Sequence, residues 1–162
     1  MGSIKSVDEL IAEAPAFAEM RAEQLEVIAG CARNQTFEGG EQLMREGEEA
    51  NRFYVIRRGL VALETFVAHR GALTLETIED GELLGWSWLV PPYRTHLDAR
   101  AIATTHTVSF DAVCLRGKAD ADPALGYELM RRFLPVIVER LQATRLRLLD
   151  VYGPVAGAEA EG

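Results

Sequence analysis

Hydrophobic and polar residues change rhythm twice along the chain. Between Ser6 and Cys31 the rhythm is helical. Ser6 followed by Glu9 forms a capping box, in which each side chain satisfies an orphan amide of the first turn, and predicts a short helix starting there. Pro15 interrupts it. From Met20 to Ala32, Leu25, Val27, Ile28 and Ala29 share one side while Arg21, Glu23, Gln24 and Glu26 lie elsewhere, which predicts a second, amphipathic helix.

From Asn34 to Ala112 short runs rich in β-branched and aromatic residues alternate with turns. Gln35–Phe37, Gln42–Met44, Phe53–Ile56, Val61–Phe66, Leu73–Ile78, Asp98–Ala103 and Thr107–Phe110 are strand candidates, and glycines 39, 40, 47, 59, 71, 81 and 85 fall between or just after them. Helices flank these strands rather than alternate with them, so the expected class is mainly β, a sandwich or small closed β-roll, and not a parallel α/β sheet.

The helical rhythm returns from Asp122 to Tyr152, with Asp122 as cap and Pro123 in the first turn. Leu134, Ile137, Leu141, Thr144, Leu148 and Val151 repeat with three-then-four spacing, a coiled-coil seam with one polar position. This stripe suits a partner helix, or packs on the chain's own β-roll, or does each along different turns. Pro135 is expected to kink the helix near Arg131. The resulting division is an N-terminal helical segment over 1–32, a β-roll over 33–121, a C-terminal helix over 122–152 and a disordered tail over 153–162.

Composition narrows the function classes. The 162 residues are 48% apolar and 26% charged, as expected of a folded soluble chain. A net charge of -8, from 17 basic and 25 acidic residues, argues against autonomous binding of nucleic acid or an anionic membrane, because counterion release needs clustered cations. The most apolar stretch, Leu83–Val90, is too short to span a bilayer. Met1–Ser6 fits a myristoylation template, but one lysine followed by Asp8 and Glu9 supplies no second anchoring signal, so no lipid anchor is expected. Cys31 and Cys114 match no metal or redox spacing and fit a reducing cytoplasm better than a disulfide scaffold. His69, His96 and His106 are scattered, and no nucleophile elbow, dinucleotide loop or P-loop is present, so neither a metal site nor an enzyme is expected.

One ordered series carries a resemblance. Phe37-Glu38-Gly39-Gly40-Glu41, Arg45-Glu46-Gly47-Glu48, Arg52 to Gly59, then Gly81-Glu82 and Gly85 together resemble the cyclic nucleotide-binding domain of the catabolite activator protein (CRP/FNR) superfamily, over about Val7 to Tyr152. The resemblance implies a double-stranded β-helix, that is a jelly-roll, cupin-like β-roll, with N-terminal helices and a long C-terminal helix. It also implies a binding cassette in which a Glu after the first glycine holds the ribose and a downstream Arg pairs with the cyclic phosphate. This sequence departs from that cassette, reading Gly85-Trp86-Ser87-Trp88-Leu89. Trp86 stands where the carboxylate belongs, and an indole cannot accept hydrogen bonds from a diol. Counting back from Ala99-Arg100-Ala101 puts Thr95 at the phosphate position; a one-residue bulge puts Arg94 there, followed by Thr95. Trp86, Trp88 and Tyr93 either fill the pocket or line a site for an apolar or aromatic anion steadied by Arg94. Arg100, in the next strand, pairs with Asp98 or Glu76, or reaches the ligand. Ser87 reads as a helix-start hydroxyl.

The family's activators continue into a DNA-binding module, for which this chain has no length after its long helix. The expectation is therefore a stand-alone sensor of cAMP, cGMP or a substitute anion, with no other cofactor, in which Thr144 touches the ligand and the output passes through a homodimer or a partner protein.

Overall fold

The structure is a computed structural model that describes residues 5–153. The myristoylation template at Gly2 and nearly all of the expected disordered tail lie outside the described residues.

The capping box forms as expected. Glu9 N donates to Ser6 Oγ at 3.3 Å and Ser6 N to the Glu9 carboxylate at 3.0 Å, starting helix α1 (Val7–Glu13). After a 3-10 turn at Pro15–Phe17, helix α2 (Ala22–Ala29) leads into the strands β1 (Ala32–Phe37), β2 (Gln42–Met44), β3 (Arg52–Arg58), β4 (Val61–Val67), β5 (Gly71–Ile78), β6 (Leu83–Leu84), β7 (Asp98–Ala101) and β8 (Thr105–Asp111). Helices α3 (Ala112–Ala121) and α4 (Pro123–Tyr152) follow. Every strand expected from the sequence is present within a few residues. The two-residue β6 and the whole of α3 were not expected. The end of β8 already carries the α3 cap: the Asp111 carboxylate accepts from Cys114 N at 3.0 Å.

The strands form two four-stranded antiparallel sheets, ordered β1-β8-β3-β6 and β2-β7-β4-β5, a jelly-roll. Alternation in β3 shows why its apolar run is continuous. Phe53 and Val55 face a core shared with the helices, which holds Ile11, Phe17, Phe110, Leu115, Leu125 and Phe133, whereas Tyr54 and Ile56 face a second core between the sheets with Phe37, Leu63 and Ile78. The sheet containing β3 is thus covered on both faces. At the β3–β4 turn Gly59 sits at φ +137°, and a Cβ there would lie 2.7 Å from the Thr105 Cα, so only glycine fits.

Helix α4 runs unbroken through Pro135. Its first turns dock on the domain through buried Leu125, Leu129 and Phe133. The expected seam is mostly elsewhere: Leu134, Leu141, Leu148 and Val151 are exposed, and Ile137 is half-buried. The stripe that packs on the chain's own core is therefore a different set of residues from the seam.

One expectation is corrected. Cys31 and Cys114, 83 residues apart, form a disulfide with Cα atoms 5.9 Å apart. Cys31 lies where α2 passes into β1 and Cys114 in the first turn of α3, a juxtaposition that only the β1–β8 pairing creates. The sequence argument for a reducing compartment rested on separate thiols and no longer applies. Among the described residues no helix is long and apolar enough to cross a membrane.

Candidate functional site

Strand β6 pairs with β3 through Leu83 and Leu84, and then Gly85, at φ +95°, turns the chain over Met44 and Phe53. A short 3-10 turn, Ser87–Leu89, follows. This geometry sends the two indoles to opposite sides. Trp88 is fully buried in the helical core, stacked on Phe53 with centroids 4.7 Å apart and edge-on to Phe133 at 5.3 Å. Trp86 stays half-buried and stacks on the His96 ring at 5.4 Å. The expectation that Trp86, Trp88 and Tyr93 share one pocket is therefore corrected: Trp88 belongs to the core. Tyr93, for its part, lies under the Arg116 guanidinium, 4.4 Å from its ring centre.

Trp86 and Ser87 open onto a cavity of about 320 Å³ between the β-roll and α4. Met44, Leu63, Leu75, Leu84, Leu97, Ile137 and Leu141 form its apolar walls. Its polar groups are Glu76, Ser87, His96, Arg140 and Thr144. Of the residues singled out from the sequence, Gly85, Trp86, Ser87 and Thr144 come together here. The Thr144 hydroxyl donates to the Arg140 carbonyl at 2.9 Å, one turn back on α4.

Arg94 and Thr95 do not line this cavity. Arg94 bridges Glu49 through the backbone, and its exposed guanidinium donates to the Gly47 carbonyl at 3.3 Å. Thr95 is buried, its hydroxyl held by the carbonyls of Arg45 and Glu48. Both residues secure the turn at 45–49, and it is the next residue, His96, that enters the cavity. Neither proposed alignment of the phosphate Arg thus supplies the cavity with a cation.

Arg140 does. It stands on the cavity face of α4 with Ile137, Leu141 and Thr144, and also walls a groove of about 510 Å³ lined by Glu128, Arg131 and Glu139. Its Nη2 donates to the Leu83 carbonyl of β6, and its Nε lies 4.0 Å from the Glu76 carboxylate. Burial pushes this guanidinium below its ordinary value, while the charges of Glu76, Glu82 and Glu139 act to hold it up. The seam pattern hid Arg140, since it reads there as an off-seam charge. Its helical spacing from Ile137 and Thr144, at i+3 and i−4, was the available signal.

Arg100 makes an ion pair, but with Glu64 rather than Asp98 or Glu76. Its Nε and Nη2 donate to the two carboxylate oxygens at 2.8 and 3.1 Å. The β4–β7 register sets Ala62 against Arg100 and Glu64 against Asp98, which makes Glu64 the diagonal neighbour. The hydrogen bond from Arg100 holds the Glu64 carboxyl below the usual carboxylate range.

The cyclic nucleotide-binding domain family model matches residues 34–121, more than half of the chain. The chain belongs to this family. The domain is similar to a candidate cyclic nucleotide-binding protein of Geobacter metallireducens, with 27% identity and a TM-score of 0.74 over 85% of this chain and 99% of that one. It shares its fold with a cyclic nucleotide-binding domain from Methylobacillus flagellatus, at 17% identity and TM-score 0.74, covering 90% and 82% of the two chains. The catabolite activator protein of Thermus thermophilus also has this fold, at 19% identity and TM-score 0.64, covering 83% of this domain and 61% of that protein. A search of curated proteins found no match. The resemblance read from the glycine series and the jelly-roll it implied are both upheld.

Proposed function

We propose that this domain is a regulatory sensor: a small ligand occupies the cavity between the β-roll and α4, and α4 carries the output to a second copy or a partner protein. One observation carries the reading. Gly85, Trp86 and Ser87 of the cassette and Ile137, Arg140, Leu141 and Thr144 of α4 line the same hollow. A ligand touching both walls binds one placement of α4 better than another, and so shifts the helix population. The activity is binding, not catalysis.

An ordinary cyclic nucleotide suits this site poorly. Trp86 removes the ribose acceptor, and Arg94 turns toward Gly47. We therefore favour a substitute ligand. Withdrawal of Trp88 into the core supports an open cavity over a Trp-filled one, because only Trp86 of the two indoles stands on its wall.

The test is a thermal-shift screen of small metabolites, cAMP and cGMP included, on the full chain and on Ile137→Trp, which fills the cavity from the helix side. Ligands of this site should raise the melting temperature of the wild type by several degrees and leave the variant unchanged. If no compound shows that difference, the sensor reading is wrong and a ligand-free interaction module takes its place.

A further inference from the structure

Resting on the cavity reading above, we propose that the ligand is a monocarboxylate with an apolar aryl body, its carboxylate paired with Arg140. The walls argue for the body. Seven aliphatic or thioether side chains line the space, and the half-buried Trp86 indole already accepts a stacked ring, that of His96, at an interplanar angle of 29°. An aromatic ring offset against such a face gains more than its area alone. At about 320 Å³ the hollow is at the small end for ligand sites and suits one ring system with a short arm.

Arg140 argues for the head. A guanidinium carries five N–H donors in a planar fork that matches a carboxylate. Among the described residues the Arg140 guanidinium makes one hydrogen bond, from Nη2 to Leu83, and its Nε faces Glu76 at 4.0 Å, too far to donate. Most of the fork thus lacks a protein acceptor although the side chain is only 15% exposed. A buried cation in that state favours an incoming anion strongly.

The charges around it set the limit. Glu76, Glu82 and Glu139 all act on Arg140, so their repulsion grows with the charge of a ligand and a monoanion meets less of it than a dianionic phosphate. Because Arg140 ties α4 to β6 through the Leu83 carbonyl, a carboxylate that reorients the guanidinium acts on the contact holding helix to roll. The head group is thereby read at the output element itself.

The experiment uses the full chain and titrates indole-3-acetate, 4-phenylbutyrate and decanoate, the primary amide of each, and cAMP, by calorimetry and tryptophan emission. The two aryl acids should bind, decanoate more weakly, and each amide at least tenfold more weakly than its acid. Arg140→Gln should weaken the acids at least tenfold and leave the amides within twofold, with Arg140→Lys between. Should Arg140→Gln fail to fold, the acid and amide pairs on the wild type decide alone. Equal binding of acid and amide, or decanoate binding as tightly as the aryl acids, overturns the proposal. If cAMP alone gives an Ile137→Trp-sensitive response, this ligand class falls and the sensor reading stands. If none of the acids binds, the proposal falls, and the fate of the sensor reading is read from the broader screen.

Discussion

Trp86 and Trp88 are two residues apart, yet the turn at Gly85–Leu89 gives them unrelated work. Trp88, packed among Phe53 and Phe133, should cost about 3–5 kcal/mol when truncated to alanine, seen as a lower denaturation midpoint. Trp86→Ala should cost less than that, since Trp86 keeps part of its surface in solvent, while abolishing any ligand-dependent emission change. Glu64 carries a pH prediction. Its folded-state carboxyl is held low by Arg100, so the pair contributes fully above the unfolded value, near pH ~4.3, and is lost as pH falls through the lowered folded value. Melting curves of Glu64→Gln and wild type should therefore differ at pH 7 and draw together as pH falls below the ordinary carboxylate range. The sequence showed that Arg100 would be paired but not with which carboxylate, because side-chain partners across a sheet depend on register, and register is a property of two strands at once.

At the scale of elements, α4 shows a periodicity that is legible in the sequence while the surface it serves is not. Leu125, Leu129 and Phe133 repeat every four residues and dock the helix, whereas in the three-four repeat from Leu134 onward Ile137, Leu141 and Thr144 line the cavity and Leu134, Leu148 and Val151 are exposed. The exposed apolar residues Leu134, Leu148 and Val151 mark where the homodimer expected from the sequence would form. Sedimentation should show a dimer that the double substitution Leu134→Glu, Leu148→Glu converts to monomer; a monomeric wild type would dispose of this contact. The start of the helix is simpler. Asp122 accepts from Ala124 N at 3.2 Å, and Asp122→Ala should cost about 1 kcal/mol in chemical denaturation. That cap was legible because N-cap chemistry is local. Helix α3 was not, since Arg116, Gly117, Lys118 and Asp120 interrupt its apolar face and leave it almost no amphipathic signature.

For the whole molecule, the glycine-punctuated strands were sufficient to foresee a sandwich or small closed β-roll, because tight turns and alternating faces are written in consecutive residues, and the family resemblance implied the jelly-roll. What escaped was everything made by pairing distant segments: the Glu64–Arg100 pair, the placement of Arg140 and the Cys31–Cys114 bond. That bond closes a loop of the size for which chain-entropy arguments give about 4.5 kcal/mol, so chemical denaturation with and without a reductant should differ by an amount of that order.

The same bond fixes how the domain would bear a mechanical load. All eight strands lie between Cys31 and Cys114, and all the helices lie outside β1–β8, so the bond is a bypass around the β-roll. A pull between the N-terminal segment and α4 would travel along α2, cross the sulfurs and continue into α3, so that the covalent path of the load leaves out all eight strands. Tension could peel α4 from Leu83 and straighten the helical ends while the jelly-roll, and the cassette within it, stayed slack and folded.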